Sequence, residues 1–288
     1  MLERWSKGLK GLGNWTAGVM DGFYRVLGGP GKWLQDFLNG SWLGHPLHPA
    51  LTDVVVGGFT MLVIFDLWSL IFGADFRDAS LVILGLSILA GLGTIISGLT
   101  DFKDTASGDE RNVTTLHGYT NVLAIVLYVV AFFVRLGPED GQTTGQVLSV
   151  IGYLIITTGA FIGGHVVFKY GYMVNYNAFA GGRRAKTFTP VLPAAELAEN
   201  TPTKASLGPT ALVLVRRGDL VYALKETCSH AGGPLSEGTL AGDTIVCPWH
   251  ASHFRLSDGA VKHGPAHTRQ VSYHARINDG QVEVEGPA

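Results

Sequence analysis

Charge and sulfur are both scarce in this chain. Of its 288 residues only 15% are Asp, Glu, Lys or Arg, 47% are hydrophobic, and just two are cysteine. So little charge sets it apart from an ordinary soluble protein. A net charge of −2, with no basic patch carrying interleaved aromatics, argues against a nucleic-acid partner. The N-terminus lacks an uninterrupted apolar stretch: Met1-Leu2-Glu3-Arg4-Trp5 mixes charge with aromatics, and no signal peptide is expected. No internal repeat is apparent along the chain.

What is present is concentrated apolar sequence. Four runs, 51–72, 79–99, 118–136 and 147–168, approach the ~20 residues a bilayer span requires. The first holds Asp53, which reads as an N-terminal cap, and Asp66, which faces the bundle or reaches the far interface. Gly159 with Gly163, and Gly93 with Ser97, have the small-xxx-small spacing of packed membrane helices. Lys32, Lys103, Arg111, Lys169, Arg183, Arg184 and Lys186 fall on one side, and only Arg77 and Arg135 on the other. The positive-inside rule then places both termini in the cytoplasm, with the spans in the cell's inner membrane. Upstream, Trp5, Leu9, Leu12, Trp15, Val19 and Phe23 form a helical stripe, broken at Gly28-Gly29-Pro30-Gly31 and followed by Trp33, Leu34, Phe37 and Leu38. Such helices lie in the membrane interface, or pack on a partner or on the chain's own C-terminal domain.

After residue 168 the composition changes. A polar stretch through Gly181-Gly182-Arg183-Arg184 leads to short alternating runs at 210–216, 220–225, 244–246, 260–262, 269–277 and 281–285, several separated by turn signals such as Ser257-Asp258-Gly259. The expected organisation is an amphipathic segment 1–41, a four-helix membrane domain 42–169, a linker 170–187 and a small antiparallel β-domain 188–288.

Both cysteines lie in that last domain, as Cys228-Ser229-His230 and Cys247-Pro248-Trp249-His250, with the spacing C-x-H-x16-C-x2-H. Two thiolates and two imidazoles delivered in pairs suit a 2Fe-2S cluster with both sulfurs on one iron and both nitrogens on the other. A zinc site or a disulfide uses the same residue types. Ala231-Gly232-Gly233-Pro234-Leu235 and Gly264-Pro265-Ala266 have no role in a zinc ribbon. With them, the stretch strongly resembles the Rieske ferredoxin family. The resemblance implies a β-sandwich with projecting ligand loops, Cys228, His230, Cys247 and His250 as ligands, and Gly232, Ser252 and Pro265 around the cluster. Where Rieske subunits of cytochrome bc complexes carry an extra disulfide, this chain has Gly233 and Trp249; where they carry a Tyr hydroxyl, it has Phe254. Ser252 keeps the other hydroxyl. The implied potential is in the lower half of the Rieske range, roughly −150 to +100 mV. Arg255, where relatives often have Asp, alters the docking surface, and His253 lines its rim.

The N-terminal half, through Gly44-His45-Pro46-Leu47-His48-Pro49-Ala50, Ser97-Gly98-Leu99-Thr100-Asp101 and His117-Gly118, resembles a bacterial four-helix membrane family known only as a domain of unknown function. Topology puts His45, His48, Asp101, His117 and His165 at one face of the spans. A carboxylate at a helix C-terminus calls for a compensating cation, and ionisable membrane residues are functional candidates. A quinone site, or a haem held by His117 and His165, fits there; so does a purely interfacial role. The expected whole is a membrane all-α bundle followed by a small all-β Rieske domain, with exposed His230 and His250 edges passing single electrons to a quinone, a cytochrome or a membrane oxygenase. The alternatives are a quinone oxidoreductase and a non-enzymatic redox sensor. A terminal oxygenase fits poorly, because only about a hundred residues follow the membrane half.

Overall fold

The computed structural model of the protein describes residues 1–138, 141–178 and 185–287, with the side chains of 185 and 186 excepted. Arg183, Arg184 and the Lys186 side chain, counted above toward orientation, lie outside the described set. The chain divides into two units: Met1–Gly31 with Pro46–Tyr172, and Lys32–His45 with Met173–Ala288. The amphipathic segment 1–41 is therefore not one piece. Its first part belongs with the helices and its second with the β-domain.

The helical unit contains α1 (Leu2–Ser6), most of α2 (Lys10–Asn39), and then α3 (Leu47–Phe72), α4 (Arg77–Phe102), α5 (Asp109–Leu136) and α6 (Gly141–Tyr170). The last four are long and apolar enough to cross a membrane. They contain the four expected runs and extend beyond them, because hydropathy fades at polar residues that a helix tolerates. Pro49 sits in the first turn of α3, where a missing N–H costs nothing. Asp109 and Glu110 open α5, where the helix dipole favours negative charge. Asp53 does not cap α3: the helix starts at Leu47 after Pro46, leaving Asp53 exposed in its second turn. α2 breaks at Gly28, whose φ of 58° is open to glycine at little cost, just before Pro30. Before the break, Thr16 and Tyr24 bond to Tyr119 (3.1 Å) and Thr100 (2.6 Å). Trp5, Trp15, Val19 and Phe23 are left exposed on the other side, the disposition of an interfacial helix.

α3 and α5 lie diagonally across the bundle, each packed beside α4 and α6. Along that diagonal three pairs of side chains meet. Phe59 stacks on Tyr128, with ring centroids 3.6 Å apart and planes within 2°. At one end His48 meets His117, and at the other Asp66 meets Arg135. Each pair is 69 residues apart, the constant offset of two parallel helices facing each other.

Asp66 is thereby explained. Its carboxylate takes both guanidinium arms of Arg135 at 2.8 and 2.5 Å. Arg135 also donates to the Gly145 carbonyl and the Ser149 hydroxyl. Both side chains are 1% exposed, so Arg135 is not a surface charge on its side of the spans. Only a glycine leaves room for the guanidinium, since a Cβ at Gly145 would stand 2.5 Å from the Arg135 side chain.

The second unit has strands β1 (Ala185–Pro193), β2 (Thr203–Leu207), β3 (Thr210–Arg217), β4 (Leu220–Lys225), β5 (Thr239–Ala241), β6 (Thr244–Val246), β7 (His253–Arg255), β8 (Val261–His263), β9 (Ser272–Asn278) and β10 (Gln281–Gly286). Six form an antiparallel sheet in the order β1-β10-β9-β4-β3-β2, and four a second sheet in the order β5-β6-β7-β8. Leu197, Leu212, Leu214, Val282 and Val284 fill the larger sheet's core. A second core of Leu224, Leu235, Ile245, Phe254 and Leu256 includes both cysteines. Phe254 is fully buried there.

Breaking the buried ion pair leaves an uncompensated charge, whereas removing both partners does not. Asp66→Ala or Arg135→Ala alone is expected to cost ~3–5 kcal/mol, and the double Asp66→Leu, Arg135→Met change far less. Thermal unfolding in detergent checks this.

Candidate metal centre

Two loops carry the four sequence-predicted ligands, one between β4 and β5 and one between β6 and β7. Their backbones close identically. The Cys228 N–H donates to the Gly233 carbonyl, and the Cys228 carbonyl accepts from Gly232 N–H. The Cys247 N–H donates to the Ser252 carbonyl, and the Cys247 carbonyl accepts from Ala251 N–H. In both loops the residue four places after the cysteine has positive φ, 82° at Gly232 and 54° at Ala251. In both loops the backbone N–H groups two and three places on are directed at the sulfur: His230 and Ala231 for Cys228, Trp249 and His250 for Cys247.

The cysteines are free and buried, Cys228 at 1% and Cys247 at 3% exposure. They interact directly. Hydrogen bonding to Cys247, then burial, pushes the Cys228 thiol up; the hydrogen bond from Cys228 holds the Cys247 thiol down. Beside this sulfur pair the His230 and His250 rings stand 5.0 Å apart at 87°. Among the described residues, no three His, Cys, Asp or Glu side chains converge as a single-ion site. A sulfur pair next to an imidazole pair is the donor set of a Rieske cluster, and the residues fit it.

The surroundings agree. A Cβ at Gly233 would stand 2.8 Å from the Cys247 sulfur and 3.1 Å from the Trp249 indole, so glycine is required there. Gly264, with φ of 88°, lies against the backbone of Ala251 and Ser252, where a Cβ would come within 2.6 Å. Pro265 is buried beside it. Ser252 is fully buried, and its oxygen accepts the Ala266 N–H at 3.2 Å, leaving its proton for another acceptor. His230 is only 5% exposed, contrary to the expected open edge, while His250 is partly exposed. Trp249, 57% exposed, is the open aromatic of the site. Arg255 does not reach outward: it pairs with Asp258 within its own turn. His253 packs edge-on to His263 at 5.4 Å.

Two supports were invisible to sequence reasoning. Gln270, 1% exposed, accepts the Ser229 N–H and donates to the Lys225 and Thr227 carbonyls, fixing the first ligand loop. Asp36, on the second part of α2, accepts the Gly264 N–H at 2.7 Å and bonds the His263 ring at 2.8 Å. Ser41 donates to the Gly264 carbonyl at 2.7 Å. The strap 32–45 thus holds the glycine of the third cluster loop by both backbone groups.

The five membrane-face residues are not brought together as one site. His45 belongs to the β-unit, near His267. His165 bonds to Glu3 at 3.1 Å, with Lys169 and Tyr170 on the same oxygen, so it is not paired with His117. The buried Asp101 carboxylate accepts no hydrogen bond from the described residues; its backbone carbonyl accepts the Tyr172 hydroxyl. His48 and His117 do meet, their ring centroids 6.1 Å apart.

Comparison with known proteins matches residues 187–274 to the family described as Rieske [2Fe-2S] domain, and residues 44–176 to the predicted membrane protein family DUF2231. The chain is 36% identical over 80 residues to ferredoxin CarAc of Metapseudomonas resinovorans, covering 28% of this chain and 75% of that one. It is 35% identical over 89 residues to the anthranilate 1,2-dioxygenase ferredoxin subunit of Burkholderia cepacia, covering 31% of this chain and 82% of that one. A solved ferredoxin of carbazole 1,9a-dioxygenase from Nocardioides aromaticivorans IC177 aligns with 35% of this chain and 99% of its own, at 27% identity and a TM-score of 0.34. The chain belongs to the Rieske 2Fe-2S ferredoxin family through its C-terminal domain, which here follows a multi-pass membrane domain of the DUF2231 type.

Proposed function

We propose that this protein is a membrane-anchored one-electron carrier, in which Cys228 and Cys247 hold one iron of the cluster and His230 and His250 the other. The observation that carries the reading is the duplicate closure of the two cysteine loops, each aiming two N–H groups at its sulfur. When bound, the cluster supplies a couple that takes up and releases one electron. The chain's own groups do the rest. The N–H donors of His230, Ala231, Trp249 and His250 stabilise the charge added on reduction. Gly233 and Gly264 allow the backbone to close over the site, and the buried side chains beneath the loops exclude water. The partly exposed His250 ring and the open Trp249 indole form the docking edge.

The relatives are named as ferredoxins and ferredoxin subunits of dioxygenases, which supports an oxygenase-type acceptor, here one at the membrane. With four spans and its Lys and Arg excess on one side, the chain would carry both termini and the cluster in the cytoplasm, at the inner membrane. Tethering confines the cluster near a membrane partner and raises its effective concentration there.

Redox titration of anaerobically purified protein is expected to give a midpoint between roughly −150 and +100 mV; a value above about +200 mV contradicts the reading of Phe254 and of the missing disulfide. Ser252→Ala should lower the midpoint and Phe254→Tyr raise it, since hydroxyl donors favour the reduced cluster. Asp36→Asn, which removes a negative charge beside the third loop while keeping a polar side chain, should raise the midpoint without loss of iron; Asp36→Glu should restore it. Voltammetry on the three proteins measures this directly.

A further inference from the structure

The strap that holds Gly264 has a second face. Asp36 and Ser41 turn toward the third cluster loop. Trp33, Phe37 and Trp42 instead stack into one column, with ring centroids 5.8 and 5.6 Å apart and planes within 15° and 7°. The four-residue helical spacing sets Trp33 beside Phe37. The Trp42 indole then folds back over the helix end, its N–H donating to the Phe37 carbonyl at 3.0 Å. All three rings stay open, at 69%, 43% and 62% exposure, and so does the adjoining Leu43.

Two observations indicate what covers this column. The Trp42 N–H is already satisfied within the strap, so its ring can leave water without stranding a donor. The strap is also tied to membrane elements at both ends. Upstream is the part of α2 that leaves Trp15, Val19 and Phe23 exposed, and downstream α3 begins at Leu47. The five residues from Trp42 to Leu47 reach at most about 18 Å. Tryptophans beside a span gather at the level of the lipid headgroups. We propose that the column of Trp33, Phe37 and Trp42 seats in the phospholipid interface and docks the cluster domain on the bilayer surface. The strap is then a clamp, with lipid on one face and the third cluster loop on the other. A domain clamped in this way holds its cluster at one orientation to the membrane, where a domain on a loose tether samples many. The proposal deepens the anchored-carrier reading and rests on it for the cluster, while the lipid contact is tested without it.

The test uses the full chain in phosphatidylcholine membranes and has two arms. In the first, the lipid carries bromine either near the headgroup or near the chain ends. With Trp5, Trp15, Trp68 and Trp249 replaced by Phe, only Trp33 and Trp42 fluoresce as indoles. Their emission is expected to be lost to the shallow bromine, less to the deep bromine, and little to aqueous acrylamide. In the otherwise unaltered chain, Trp33→Phe and Trp42→Phe should each reduce the shallow-quenched component, which keeps the test open should the first variant fail to fold. Emission that acrylamide quenches and bromine does not overturns the proposal. So does protection from both quenchers, which assigns the column to a protein partner or a second copy.

In the second arm, oriented films of the same membranes are turned in the field, and the cluster's paramagnetic signal should change with the angle to the membrane normal. Trp33→Ser with Phe37→Ser, which leaves Asp36 and Ser41 in place, should abolish that dependence and keep the signal. Trp33→Tyr with Phe37→Tyr should restore it. A signal without angular dependence in the unaltered protein overturns the docking. Absence of any cluster signal counts against the iron–sulfur reading instead, and the bromine arm then decides the lipid contact by itself.

Discussion

A Rieske cluster imposes one constraint: two irons that want different donors must be reached by one short stretch of chain. The protein meets it by repeating a loop. Each cysteine begins a turn whose backbone closes four and five residues on, and each sulfur receives two N–H groups from its own loop. The positions of the histidines, two places after one cysteine and three after the other, then set the imidazoles side by side next to the sulfur pair. The remaining architecture serves those loops. β5 to β8 splay them apart, Phe254 and Leu235 fill the space beneath, and Gln270 ties the first loop to the larger sheet.

The helical unit is held along the diagonal between α3 and α5. Aspartate opposes arginine, phenylalanine stacks on tyrosine, and histidine meets histidine. The first of these pairs assigns Asp66, which stood out as a charge inside an apolar run.

What was legible followed from periodicity and from chemistry packed into short motifs. The four spans, β4 and β6 could be placed closely, and the four ligand types could be named with their spacing. What was not legible depends on distance along the chain or on brevity. β6 is as short but wholly β-branched (Thr244-Ile245-Val246), whereas the three-residue β5 and β7 lack both length and such a run. Asp36 lies 228 residues from the glycine it holds, and no local pattern links them. His230 was expected at an open edge because exposure is a property of the assembled fold, where Tyr176 packs against the neighbouring Gly232. The pairing of His117 with His165 failed similarly: shared depth in the spans does not say which helices face each other.

Sulfur and nitrogen held on separate irons should give two strongly coupled histidine nitrogens in pulsed paramagnetic resonance of the reduced protein labelled with 15N-histidine, with the coupled pair disrupted in His230→Cys or His250→Cys protein. Absence of histidine coupling in protein that retains its iron and sulfide would contradict that arrangement.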